Sequence, residues 1–150
     1  MILNINKLAG RKQFILLLIV HTAVFFFSFL IAYQIRFNFE VPVDYRWHYF
    51  QIWPVVVILK LLSLWRFGQF AALLAFFNFH EFRRVALATL LPLMILMAWW
   101  HFGFPPLDLP GKLGLTVPRG VIVMDAMLSF TGAVLIRVLI SFLDEDLKKQ

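Results

Sequence analysis

The sequence predicts an all-α fold, an integral membrane four-helix bundle with a phenylalanine-rich segment lying at one membrane surface between its second and third helices. Two observations carry that prediction. Of 150 residues, 62% are hydrophobic and only 15% charged, with a mean hydropathy of +0.85, far from the balance of soluble domains. The charges are also segregated, leaving apolar runs long enough to cross a hydrocarbon core, which takes about 20 helical residues. The runs are Gln13 to Ile35, Val85 to Leu107, and Phe67 to His80 joined to the apolar stretch before it; a fourth, Val121 to Leu143, is interrupted only by Asp125 and Arg137. The connecting stretches near 36–48 and 104–117 are too short for a soluble domain, so a single transmembrane domain over 1–150 is expected.

The first span is expected at about 13–35, behind the basic flank Lys7, Arg11 and Lys12. Its apolar core is too long for a cleaved signal peptide and lacks a small-residue cleavage site, so it reads as a retained signal anchor. The second span is expected at about 49–67. A helix running unbroken from Tyr49 to Arg84 would far exceed the bilayer thickness. Gly68 offers a break, and 68–84 then forms the Phe-rich interfacial segment. The third span is expected at about 85–103 and the fourth at about 119–142.

Orientation follows from lysine and arginine near the span ends. One face collects Lys7, Arg11, Lys12, Arg66, Arg83, Arg84, Lys148 and Lys149, the other Arg36, Arg46, Lys112 and Arg119. The larger set puts both termini in the cytoplasm. Tyr33, Tyr45, Trp47, Tyr49, Trp99 and Trp100 fall where the outer interface then lies, as an aromatic belt does.

Three charged residues fall inside spans, where each is costly: Lys60, Asp125 and Arg137. Counting helical rise, Lys60 lies about 15 Å and Asp125 about 10 Å below the outer ends of their spans, a difference a lysine stem covers. A Lys60–Asp125 pair between the second and fourth spans is therefore expected, each charge offsetting the other's burial. Such a pair either belongs to a proton or ion path or orients helices; with no second carboxylate at that depth, the helix-orienting reading is favoured. Arg137 sits nearer the cytoplasmic end and is expected to snorkel to the headgroups.

His21 and His101, on different spans, raise the question of a haem, which paired imidazoles can hold. His21 is about 12 Å from the cytoplasmic face and His101 about 24 Å, too far apart in depth for one iron. His48 and His80 fall in interfacial stretches. Asp144, Glu145 and Asp146 are consecutive and splay around a helix end. Cysteine is absent, which excludes disulfides and thiolate chemistry. There is no phosphate loop, nucleophile elbow or HExxH, and no cofactor, metal site or nucleic-acid partner is expected. Ser28 with Ala32 and Ser129 with Ala133 are small pairs spaced to let helices approach.

Taken in order, several motifs resemble the N-terminal membrane domain of the CapD-like polysaccharide-biosynthesis proteins, membrane-bound nucleotide-sugar epimerases and dehydratases. Ser28, Ala32, Arg36 and Phe37 match the end of that family's first span. Phe67, Gly68, Phe70, Phe76, Asn78, Glu81 and Arg84 match the aromatic and basic segment after the second. Pro118, Arg119, Gly120, Val121, Asp125 and Arg137 match the fourth. Departures accompany the resemblance. His21 stands where relatives usually carry aspartate, and Ala71, Leu74 and Ala75 replace an Arg…Trp-Arg pattern. In relatives a cytoplasmic Rossmann domain binding NAD(P) follows the fourth span, whereas here the chain stops at Gln150. It carries no GxGxxG and no lysine four residues after Tyr33, Tyr45 or Tyr49.

The resemblance implies a non-catalytic anchor or scaffold holding nucleotide-sugar chemistry at the cytoplasmic face of a bacterial inner membrane. Expected partners are the bilayer, an anionic lipid or polyprenyl phosphate at Arg66, Arg83, Arg84 and Arg137, a cytoplasmic nucleotide-sugar enzyme or glycosyltransferase, and further copies of the chain. The alternative is a small polytopic transporter or lipid-handling protein.

Overall fold

A computed structural model describes residues 2–70, 79–102 and 117–148, with side chains described for 14–43, 45–70, 79–102 and 117–142. Among the described residues it consists of four helices and no strand: α1 (Ile2–Arg36), α2 (Val43–Arg66), α3 (Phe79–His101) and α4 (Arg119–Lys148). Each contains a stretch long and apolar enough to cross a membrane: Phe14–Arg36, Tyr45–Arg66, Phe79–His101 and Arg119–Phe142. The protein is a multi-pass helical bundle.

The helices alternate in direction around a ring, α1 against α2, α2 against α3, α3 against α4, and α4 back against α1. One end of the bundle therefore holds the start of α1 and the end of α4, and is called the terminal end below. The other holds the α1–α2 turn, the end of α3 and the start of α4.

Helix bounds depart from the hydropathy-based ones for a simple reason: apolarity reports where lipid is, not where helix is. The membrane-crossing stretch of α1 is Phe14–Arg36, and the helix itself runs back to Ile2 through the basic flank. α2 starts at Val43 rather than 49, set by Pro42, whose φ of −57° and ψ of 149° hold an extended conformation at the cap. α3 starts at Phe79, so Phe79–Arg84 of the expected interfacial segment forms its first turns. The rest of that segment, including Phe76, Asn78, Ala71, Leu74 and Ala75, lies outside the described residues, as does Lys112.

The C-terminal ends of α1 and α2 close in the same way. After α1, the Asn38 N–H donates to the Ile35 carbonyl and the Phe39 N–H to that of Gln34, at 3.3 and 2.8 Å. After α2, the Gly68 N–H donates to Trp65 and the Gln69 N–H to Leu64, at 2.9 and 3.0 Å. These are Schellman closures, which need a left-handed residue just past the helix; Asn38 supplies φ 51° and Gly68 φ 69°. Phe39 also stands at φ 67°, a conformation a bulky L-residue adopts only under strain.

The core has two parts. Near the α1–α2 turn, Phe29, Tyr33, Tyr49, Ile52 and Val121 pack together, with Phe37, Tyr45 and Trp53 against them. Toward the terminal end, Leu17, Phe25, Val57, Leu64, Phe70 and Ala88 form a second cluster. α1 and α4 pack against each other, and Ser28, Ala32, Ser129 and Ala133 on them are all buried. At Gly132 a Cβ would lie 2.5 Å from Val24 Cγ1, so only glycine leaves that approach open.

Candidate functional site

The most polar part of the interior sits at the bundle centre. Lys60 of α2 and Asp125 of α4 are 5% and 1% exposed, on helices that face each other diagonally across the ring. Lys60 lies in the terminal-end half of its helix and Asp125 in the opposite half of its own. The lysine stem makes up the difference because helical side chains lean toward the N-terminus of their helix, which for α2 is the direction of Asp125. Its Nζ donates to Asp125 Oδ1 at 2.5 Å and to Ser129 Oγ at 2.8 Å. Ser129, one turn on from Asp125, donates to the same Oδ1 at 3.3 Å. The Phe25 ring lies beneath the ammonium, its centroid 5.3 Å from Nζ.

Beside this cluster is a cavity of about 10 Å³, lined by Phe25, Lys60, Thr89, Pro92, Asp125 and Ser129 among others. That is room for about one water molecule.

A second feature ties α2 to α3. Pro92, inside α3, has no N–H to donate to the carbonyl four residues earlier, which belongs to Ala88. Ser63 Oγ donates to that carbonyl at 2.7 Å. Lipid offers no replacement donor, so the hydroxyl completes the helix from outside it.

Toward the terminal end, Arg137 does not snorkel. Its side chain is 11% exposed, its Nη2 donates to the Gln69 carbonyl at 2.7 Å and its Nη1 to Glu81 Oε2 at 3.4 Å. Glu81 holds it inward while also accepting from Arg84 Nη1 at 3.0 Å. Because α3 begins at Phe79, Glu81 falls in its first turn, where a carboxylate is favoured by the helix dipole. Close by, His21 is buried, with its ring 5.8 Å from that of Phe70. Its Nδ1 lies 2.8 Å from the Leu17 carbonyl; a carbonyl only accepts, so the proton is assigned to Nδ1 and Nε2 presents a lone pair. Among the described residues His21 Nε2, Gln69 Oε1 and Arg137 Nε are buried without a hydrogen-bond partner.

The other expected residues are dispersed. Arg66 and Arg83 are exposed at the terminal end, and Arg84 is partly exposed. At the opposite end the Arg36 side chain passes Gly120, its Cδ 3.3 Å from where a Cβ would stand. Arg119 lies over the Trp100 ring at 3.1 Å from its centroid. Phe37 packs on Tyr33 and Tyr45, and Pro118 accepts from the N–H groups of Val121 and Ile122. Phe67 caps α2 ahead of Gly68. His101 is exposed at the end of α3, far from buried His21, while His48 bonds to the Tyr33 hydroxyl at 3.1 Å. Among the described residues no three of His, Cys, Asp and Glu converge.

Sequence reasoning misses the hydrogen bonds of Ser129 and Ser63 and the Glu81–Arg137 bond. The first two have legible signals: a serine four residues after a buried aspartate, and a proline inside a span that frees a carbonyl for a hydroxyl on its neighbour. The third depends on where α3 begins. Comparison with family models, curated proteins and solved structures finds no match to this chain.

Proposed function

We propose that the chain is a membrane anchor or scaffold, seated in a bacterial inner membrane with both termini in the cytoplasm, that holds nucleotide-sugar chemistry at the membrane face without catalysing it. The observation that carries this reading is the pairing of the buried charges, with little space beside them. Lys60 is bonded to Asp125 and Arg137 to Glu81, and the space beside Lys60 and Asp125 admits about one water molecule. A carrier working through the bundle needs a site at mid-depth with room for its solute. The order of Arg36–Phe37, Phe67–Gly68 and Pro118–Arg119 along the chain supports the CapD-like assignment. Exposed Arg66 and Arg83 would attract anionic lipid, at about 1 kcal/mol for each residue near the surface, and a polyprenyl phosphate presents the same chemistry.

The test is affinity purification of the tagged chain from native membranes in mild detergent, with mass spectrometry of bound proteins and lipids. Recovery of a nucleotide-sugar enzyme or glycosyltransferase, lost when Arg66 and Arg83 are both replaced by glutamine, supports the scaffold. A preparation carrying only lipid overturns it in favour of a lipid-handling role.

A further inference from the structure

Along the lipid-facing side of the α3–α4 seam runs a groove of about 270 Å³, lined by Ala86, Thr89, Leu90 and Leu93 of α3 and by Val123, Ala126, Met127 and Phe130 of α4. Its walls are apolar throughout. Thr89, the single polar residue among them, turns its hydroxyl back to the Val85 and Ala86 carbonyls at 3.1 and 3.0 Å, which leaves its methyl group for the groove. The small side chains of Ala86 and Ala126 make the depression, and Leu90 and Met127 form exposed rims. At the terminal end Phe130 of the lining meets Phe82 edge to face, with ring centroids 5.5 Å apart.

The charge beside that aromatic pair is uneven. Arg84 and Arg137 both engage Glu81. Arg83, three residues before Ala86 and so on a neighbouring flank of α3, is exposed and takes no ion pair among the described residues. From Arg83 to Leu93 is ten residues, about 15 Å of helix, half of a hydrocarbon core about 30 Å thick. That is the depth one leaflet's acyl chain occupies.

We propose that this groove holds one acyl chain of an anionic glycerophospholipid from the leaflet at the terminal end, with its phosphate against Arg83. The groove supplies shape for the chain and Arg83 supplies selection for the headgroup. Thr89, Leu93 and Ala126 line both this groove and the one-water cavity at Lys60–Asp125. The inference rests on the reading that this end of the protein meets anionic lipid, and adds where one such lipid sits.

The test uses the full chain in phosphatidylcholine nanodiscs doped with phosphatidic acid carrying a photoactivatable diazirine on its acyl chain, compared with phosphatidylcholine carrying the same chain. Labelled residues are mapped by mass spectrometry. Label from phosphatidic acid concentrates on Leu90, Leu93, Met127 and Phe130, about fivefold above that from phosphatidylcholine, the effect of one arginine near an anionic headgroup. Arg83→Gln removes the difference between the two lipids. Leu90→Trp, a change at an exposed position that fills the groove, removes the label from both. Equal labelling by the two lipids, or label spread evenly over Leu16, Leu62 and Leu139 on the other faces, overturns the proposal. Leu90→Trp, which leaves Arg66 and Arg83 in place, does not change partner recovery in the purification above, so the two readings fail separately.

Discussion

Removing either half of the central ion pair strands the other. In Asp125→Ala the Lys60 ammonium keeps only Ser129 Oγ and the Phe25 ring as neighbours, in a site 5% exposed. Breaking a buried pair from one side costs about 3–5 kcal/mol, roughly 30–50% of the stability of a protein near 10 kcal/mol. The folded fraction relative to unfolded falls by a factor between about one hundred and a few thousand. Replacing both partners with apolar residues of similar volume, Lys60→Met with Asp125→Leu, removes the stranded charge and is expected to be neutral or stabilising. Ser129 then turns to its own helix backbone, as serine does in spans. A reciprocal exchange, Lys60→Asp with Asp125→Lys, recovers only part of the loss. The lysine stem on α4 leans toward the N-terminus of α4, away from position 60. The assay is unfolding in mixed micelles titrated with a denaturing detergent, followed by helicity, over this cycle. Two single variants that each lose under 1 kcal/mol and simply add in the double would refute the reasoning.

Other parts of the bundle give equally direct expectations. Ser63→Ala leaves the Ala88 carbonyl bare and should cost about 0.6–2 kcal/mol in the same titration; in a Pro92→Ala background, where the backbone supplies its own donor, the cost should vanish. Gly132→Ala drives a Cβ into Val24 and should cost about 1–3 kcal/mol, with Val24→Ala restoring the approach. Phe39→Gly relieves a left-handed residue and should gain about 1 kcal/mol. Because the chain has no cysteine, single cysteines at Asn38 and Arg83 report orientation cleanly: an impermeant maleimide applied to whole cells opened only at the outer membrane should label the first and spare the second.

The four helices are readable because lipid leaves so strong a mark on composition: charge-free runs as long as Gln13 to Ile35 and Val85 to Leu107 seldom arise outside a bilayer. The Lys60–Asp125 pair is readable for the same reason, since two opposite charges at compatible depths inside lipid have few choices other than each other. Arg137 shows where that logic stops. A cation nearer a span end can either reach water or find an anion, and the choice turns on Glu81, whose height depends on α3 starting at Phe79 rather than near 85. Hydropathy is blind to that start because Arg83 and Arg84 already lie beyond the apolar run. The small residues of α1 and α4 are visible as pairs, yet the close approach of Gly132 to Val24 requires knowing that the first and last helices are neighbours in the ring.

The diagonal pair also has a history within each molecule. Lys60 and Asp125 are 65 residues apart, and chains grow at about 5–20 residues per second, so α2 waits roughly three to thirteen seconds before its counter-charge has been made. During that interval the least apolar of the four spans holds an unmatched ammonium. The helix is therefore a provisional resident of the bilayer, dependent on staying beside the insertion machinery or its earlier neighbour α1 until α4 arrives.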